Sequence, residues 1–162
     1  MILSGTTIQK LKLVDPIEPR TKHKGMSYGL SYAGYDIRLA QGVTIIPGRT
    51  SLGISFERFA MPNNVLGEVK DKSSWARLGL SVKNTVIEPG WAGYLTLEIS
   101  YDPVIDPDDN RTVLGSPPLY IEEGMPIAQV LFYYVDLMTS GYDGKYQNAD
   151  QIAQPAIFEG VK

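Results

Sequence analysis

Apolar residues recur along this chain in short runs rather than in helical stripes. The runs at 42–46, 52–56, 66–69, 80–87, 94–100, 118–121 and 127–135 carry β-branched or aromatic residues, with Gly, Pro, Asn or Asp between them. Many short runs punctuated by turn residues, with no internal repeat, predict an all-β sandwich or barrel. The alternation is cleanest at 94–100, where Leu95, Leu97 and Ile99 fall on one face and Thr96, Glu98 and Ser100 on the other. Gly34 permits a tight turn ahead of Asp36, which opens a further alternating strand. Gly124-Met125-Pro126 is a turn that leads into the core strand ending the last run.

Helical periodicity is weak. Ser4 is placed to cap a helix over 5–11 with Ile8 and Leu11 inward, and a second short helix fits 74–78. The segment 101–118 holds four Pro and four Asp and reads as a long exposed loop. Beyond Ser140 the chain is polar and lacks strand periodicity. The expected organisation is therefore a β-barrel domain over 1–140 and a tail over 141–162, either mobile or a lid that orders on ligand.

At 162 residues, 43% hydrophobic and 20% charged, the chain suits one globular domain. A net charge of −3 argues against a nucleic-acid partner. No apolar run approaches the roughly 18 residues of a membrane helix, and no signal peptide is evident, so the expectation is a cytoplasmic protein. Cysteine is absent and His23, in a loop-like Lys-rich stretch, is the only histidine. Disulfides and thiolate metal sites are impossible, and a zinc hydrolase would need more imidazoles. Chemistry must rest on carboxylates, hydroxyls, Lys, Arg, Tyr and water.

Lys72-Ser73-Ser74-Trp75-Ala76-Arg77 sets two hydroxyls between two cations, a pattern that can hold a phosphate chain, or equally a helix cap with solvated charges. Asp36 is open between a strand-start acid paired with Arg38 and a contact to a neighbouring subunit. Glu88-Pro89-Gly90-Trp91 is a turn whose acid suits a sugar hydroxyl or plain solvent, and whose indole suits core or a ribose wall. Glu98, a carboxylate among apolar neighbours, is a candidate for a raised pKa and proton transfer, or part of a polar outer face. Tyr142 and Lys145 offer an aromatic and a cation for clamping a charged ligand.

In series, Ala33-Gly34-Tyr35-Asp36-Ile37-Arg38-Leu39, Lys72-Ser73-Ser74 through Arg77-Leu78-Gly79-Leu80, Ile87-Glu88-Pro89-Gly90-Trp91, Leu95-Thr96-Leu97-Glu98 and Gly124-Met125 through Ala128-Gln129 resemble the dUTPase and dCTP deaminase superfamily. The Ser73-Ser74 and Ala76-Arg77 form, Leu97-Glu98 and Gly144-Lys145-Tyr146-Gln147 resemble the deaminase branch. The resemblance implies a distorted β-barrel or jelly roll of the dUTPase-like type and a homotrimer with sites assembled from neighbouring subunits. It implies zinc-independent hydrolytic deamination of dCTP, or a modified dCTP, to dUTP and ammonia. Glu98 would be general base and acid, and Ser73 and Arg77 would position water and base. Lys72, Ser74, Gln129, Tyr142 and Lys145 would bind the nucleotide, with Glu88 on the sugar 3′-hydroxyl and Trp91 beneath the deoxyribose. Mg²⁺ would arrive on the triphosphate.

Three departures accompany the resemblance. The usual turn Asp is Glu88, the hairpin from Arg77 to Glu88 is shortened, and the tail differs after Gln147. Asn84 is the polar group best placed to replace a lost base contact. The shortened hairpin leaves open a modified cytosine, a shifted base preference or lost activity. The alternatives are a dUTP pyrophosphatase, a bifunctional enzyme giving dUMP through Glu88, and a non-catalytic deoxynucleotide sensor.

Overall fold

A computed structural model describes residues 1–102 and 117–160. Helix α1 (Gly5–Leu11) leads into β1 (Val14–Asp15), β2 (Thr21–His23), β3 (Met26–Ser31) and β4 (Gly34–Arg38). Strands β5 (Val43–Ile45), β6 (Thr50–Ala60) and β7 (Val65–Asp71) follow, then helix α2 (Ser73–Ala76). The chain continues through β8 (Leu80–Val82), β9 (Val86–Ile87), β10 (Ala92–Tyr101), β11 (Leu119–Ile121) and β12 (Pro126–Tyr134). The strands form a six-stranded sheet in the order β2-β3-β4-β12-β7-β9, a four-stranded sheet β1-β6-β10-β8 and a β11-β5 pair. The ladders between these strands are all antiparallel.

Alternation explains how the sheets face each other. In β10, Leu95, Leu97 and Ile99 are buried, and in β12, Val130 and Phe132 are fully buried. They meet Phe59, Val69 and Ile37 in one core. Burying each such side chain contributes about 1.5–3 kcal/mol. Strand β4 does not alternate: Gly34, Tyr35, Asp36 and Ile37 are all buried, because β3 and β12 flank the strand and Lys72 covers Asp36.

The N-terminal helix forms where expected, with the Ser4 hydroxyl accepting from the Thr7 N–H at 3.3 Å. Leu11 is exposed rather than inward. Lys12 ends the helix in the left-handed region at φ 52°, and the chain turns so that Leu13 becomes the buried residue. His23 belongs to a hairpin strand, not a loop. The loop expected over 101–118 falls largely outside the described residues.

The run 80–87 is two strands that do not pair with each other, so the hairpin expected over 77–88 is instead a crossing between sheets. Val82 pairs with Ile99 of the four-stranded sheet, while Ile87 pairs with Gly67 of the six-stranded sheet. Residues 83–85 carry the chain from one sheet to the other. The crossing is fixed by three main-chain amides. Lys83 N–H donates to the Glu98 carbonyl at 2.9 Å, Val82 N–H to the Asp71 carboxylate at 2.7 Å, and the Thr85 carbonyl accepts from the Val69 N–H at 3.0 Å.

A second irregularity lies across β6. From Tyr94 to Thr96 the chain advances two positions, while its partner moves four, from Arg58 to Ile54. The extra residues form a bulge. The Ser55 hydroxyl bridges it, accepting from Leu95 N–H at 2.8 Å and donating to the Glu57 carbonyl at 2.7 Å. The bulge leaves Glu57 inside the protein, against Arg38.

Candidate functional site

Glu98 lines a cavity of about 390 Å³ between β9 and β10. Thr85, Val86, Ile87 and Glu88 form one wall, Leu52, Leu95 and Thr96 the floor, and Trp91 one end. The wall exists because the chain changes sheets at 83–85 and so faces β10. Alternation along β10 puts Glu98 on the face away from the core, as the sequence pattern predicts, but this face is covered rather than open. One Glu98 carboxylate oxygen is buried with no hydrogen-bond partner. A buried unpaired oxygen costs about 1–3 kcal/mol and is a place where a hydrogen-bond donor from a ligand is accepted favourably.

The cover is the C-terminal segment. Tyr142, Tyr146, Ala149, Gln154, Pro155 and Ala156 complete the cavity. Gln147 is its anchor: its amide N–H donates to the carbonyls of Gly90 and Tyr142, both at 2.9 Å, and its Oε1 accepts from Ala92 N–H at 2.8 Å. The Trp91 indole N–H donates to the Tyr146 carbonyl at 2.7 Å. Trp91 is thus both core and wall, packed at 6.3 Å against Phe59 and closing the cavity. Farther on, Gln154 N–H donates to the Thr96 hydroxyl at 3.1 Å. The segment passes so close that glycine is required beneath it. A Cβ on Gly90 (φ 83°) would lie 2.6 Å from the Gly141 Cα, and one on Gly93 (φ 144°) 2.6 Å from the Ala149 nitrogen.

A second cavity, about 450 Å³, opens on the six-stranded sheet. Its lining includes Arg20, Ser31, Tyr32, Lys72, Ser73 and Gln129. Lys72 is not free: its Nζ lies 2.9 Å from the Asp36 carboxylate, with both side chains only 10% exposed. Asp36 therefore pairs with Lys72, not with Arg38, whose guanidinium is taken by Glu57. Ser27 joins the pair, donating to Asp36 at 3.1 Å. Gln129 donates to the Ser31 hydroxyl at 3.2 Å.

Ser73 and Ser74 do not cap α2. The cap position is Lys72, without a side-chain bond, and both serines stand exposed. Arg77 is exposed just beyond this helix, and Asn84 is exposed on the sheet-crossing segment. The Lys145 ammonium is turned onto its own segment, donating to the Ile157 carbonyl. Within one chain, then, Glu98, Glu88, Trp91 and Tyr142 share the first cavity, while Lys72, Ser73 and Gln129 share the second. Sequence reasoning missed Thr96, Leu52 and the anchoring role of Gln147 in the first, and Arg20, Ser31 and Tyr32 in the second. Only Arg20 carried a signal, the basic run Arg20-Thr21-Lys22-His23-Lys24.

Among the described residues no helix is long and apolar enough to cross a membrane. The family model described as dCTP deaminase-like matches residues 34–135. A dCTP deaminase of Chlamydia abortus is 35% identical over 174 aligned positions, covering 87% of this chain and 85% of its own length. That of Chlamydia felis is 36% identical over the same shares. Among solved structures, the 2'-deoxycytidine 5'-triphosphate deaminase of Agrobacterium tumefaciens aligns with a TM-score of 0.60 and 18% identity over 83% of this chain. This chain spans 48% of that longer one. The EIAV dUTPase (TM-score 0.53, 19% identity, 80% of this chain and 94% of that one) has the same fold. So does a Staphylococcus bacteriophage 80alpha dUTPase with dUPNHPP (0.53, 20%, 93% and 88%). With its core motifs, its all-β architecture and its relatives in agreement, the chain belongs to the dCTP deaminase-like family.

Proposed function

We propose that this protein is an enzyme that deaminates dCTP, or a 5-modified dCTP, by hydrolysis to dUTP and ammonia. The observation that carries this reading is the Glu98 carboxylate, with one oxygen buried and unpaired, in a cavity walled by Trp91 and the 85–88 segment. Glu98 takes a proton from water as the water oxygen bonds to C4 of the ring, and that proton passes to the ring nitrogen N3. The tetrahedral intermediate then collapses: the C4 hydroxyl gives its proton to Glu98, Glu98 passes it to the amino nitrogen, the C4–N bond breaks and ammonia leaves as the C4 carbonyl forms. Hydrogen-bond donors from Ser73 and Arg77 orient the water and hold the base. Trp91 lies under the deoxyribose and Glu88 accepts from its 3′-hydroxyl. The absence of cysteine and the single histidine support chemistry without zinc.

The phosphates belong with Lys72, Ser74 and Gln129, on the side of the chain where the other cavity opens. A complete site therefore joins the Glu98 cavity of one copy to the phosphate cavity of a second, as a closed homotrimer provides. Tyr142 and Lys145 approach from the segment over 141–162, acting as a lid. Mg²⁺ enters as part of the nucleotide substrate.

Glu88 lines the same cavity as Glu98 and favours a second reading. An acid there can direct a water at the α-phosphate, giving dUMP and pyrophosphate. The test is to incubate the protein with dCTP, 5-substituted dCTP and dUTP, and to measure ammonia and pyrophosphate. Ammonia without pyrophosphate supports the deaminase, and both products together support the bifunctional enzyme. Pyrophosphate from dUTP alone supports a dUTPase and overturns the first reading. No turnover with nucleotide bound identifies a sensor.

A further inference from the structure

The second cavity contains as much negative as positive charge. Arg20 and Lys72 line it, and so do Asp36 and Asp71. Lys72 is committed to Asp36 at 2.9 Å in a nearly buried pair. Asp71 keeps one oxygen on the Val82 N–H at 2.7 Å. A polyphosphate entering this space meets little free positive charge from the lysine. Arg20 is the remaining cation. Among the described residues it makes no ion pair, and its guanidinium lies 5.6 Å from the centre of the Tyr32 ring. Tyr32 is itself 88% exposed at the cavity, an outward aromatic that the core does not explain. A guanidinium steadied on a ring face keeps its fork of N–H donors free for phosphate oxygens.

We propose that Arg20, held by Tyr32, is a further phosphate-binding residue that makes the site prefer a nucleoside triphosphate to a monophosphate. This assignment rests on the nucleotide reading under Proposed function. Arg20 immediately precedes β2, whose hairpin with β3 also carries Lys22 and Lys24, and Lys24 is tied to Glu122. The hairpin thus presents one positive side chain to the cavity and the others elsewhere.

The test measures binding of inorganic tripolyphosphate, dCTP and dCMP by calorimetry, for the intact chain and for Arg20→Ala, Arg20→Lys, Tyr32→Ala and Lys22→Ala. Arg20→Ala is expected to weaken tripolyphosphate and dCTP about tenfold while dCMP changes by less than about twofold. Arg20→Lys recovers part of the loss, Tyr32→Ala loses part, and Lys22→Ala, off the cavity, leaves binding unchanged. Tripolyphosphate binding that is absent in the intact chain, unchanged in Arg20→Ala, or equally lost in Lys22→Ala overturns the assignment. If tripolyphosphate responds as expected but no cytosine nucleotide releases ammonia, the deaminase reading fails and the Arg20 site stands.

Discussion

Arg38 donates both its main-chain N–H and its Nε to the carboxylate of Glu57, at 2.9 and 2.8 Å. The guanidinium is sandwiched between the rings of Tyr28 and Phe56, at 4.3 and 4.2 Å. Glu57 is fully buried, so β4 of one sheet is bolted to β6 of the other by a charged pair inside the core. Removing one partner strands the other charge. Glu57→Ala is expected to cost about 3–5 kcal/mol in urea denaturation.

The same pair sets a pH dependence. Burial pushes the Glu57 carboxyl above its ordinary 4.5, and the Arg38 hydrogen bonds pull it only part of the way back. The folded protein thus holds this proton more tightly than the unfolded chain. Stability from the group is fully present below the ordinary carboxylate range and is lost as pH rises through the elevated value. The stability of the wild type minus that of Glu57→Gln should fall as pH is raised from about 4. A difference that grows with pH would contradict an elevated Glu57 pKa.

Glu98→Gln keeps the shape of the cavity and removes the carboxylate proposed as proton acceptor. Ammonia release from dCTP should drop by about 10²–10⁴-fold in kcat. Nucleotide binding by calorimetry should persist, since the phosphate-binding groups are untouched. Equal loss of binding and turnover would make Glu98 a structural residue.

The covering segment hangs on Gln147 and on the close approach at Gly93. Gln147→Ala deletes three hydrogen bonds to Gly90, Tyr142 and Ala92, for an expected cost of about 1–3 kcal/mol. Gly93→Ala puts a methyl against Ala149 and demands a left-handed backbone from a residue that resists it. Both variants should be cut by protease beyond residue 141 faster than the wild type, with the barrel left intact.

Lys72→Met leaves Asp36 buried beside an alkyl chain. A loss of about 3 kcal/mol is expected, and the double variant with Asp36→Asn should regain most of it. Regain in the double variant separates the structural pair from any contact between Lys72 and a ligand, which the double variant also lacks.

The legible parts of this fold were those written in period-two apolar patterns. Strands β10 and β12 follow from Leu95, Leu97, Ile99 and from Val130, Phe132 because one face is buried. The hairpin β2–β3 was not legible: β2 is only Thr21, Lys22 and His23, with no apolar side chain to set a period. A hairpin was expected across 77–88, but that its two arms join different sheets was not legible, because the Asp71–Val82 bond and the change of sheet leave no periodic trace. For the site, Glu98, Glu88 and Trp91 were open between two readings by type and spacing, their roles came from the family resemblance, and the structure brings all three to one cavity. The Lys72–Asp36 pair was not, since the partners lie far apart in sequence and either has a nearer candidate. The covering segment was read as tail because Gln147 holds it by side-chain bonds to main chain, which have no periodicity.

The crossing at 83–85 hangs the wall facing Glu98 from two sheets by a few main-chain amides, apart from the scaffold around Lys72 and Gln129. Under the proposed function, ring selectivity and anion grip are accordingly modular. Residue changes or length changes in this short span can retune which heterocycle is accepted while the grip on the other end of the molecule is inherited intact.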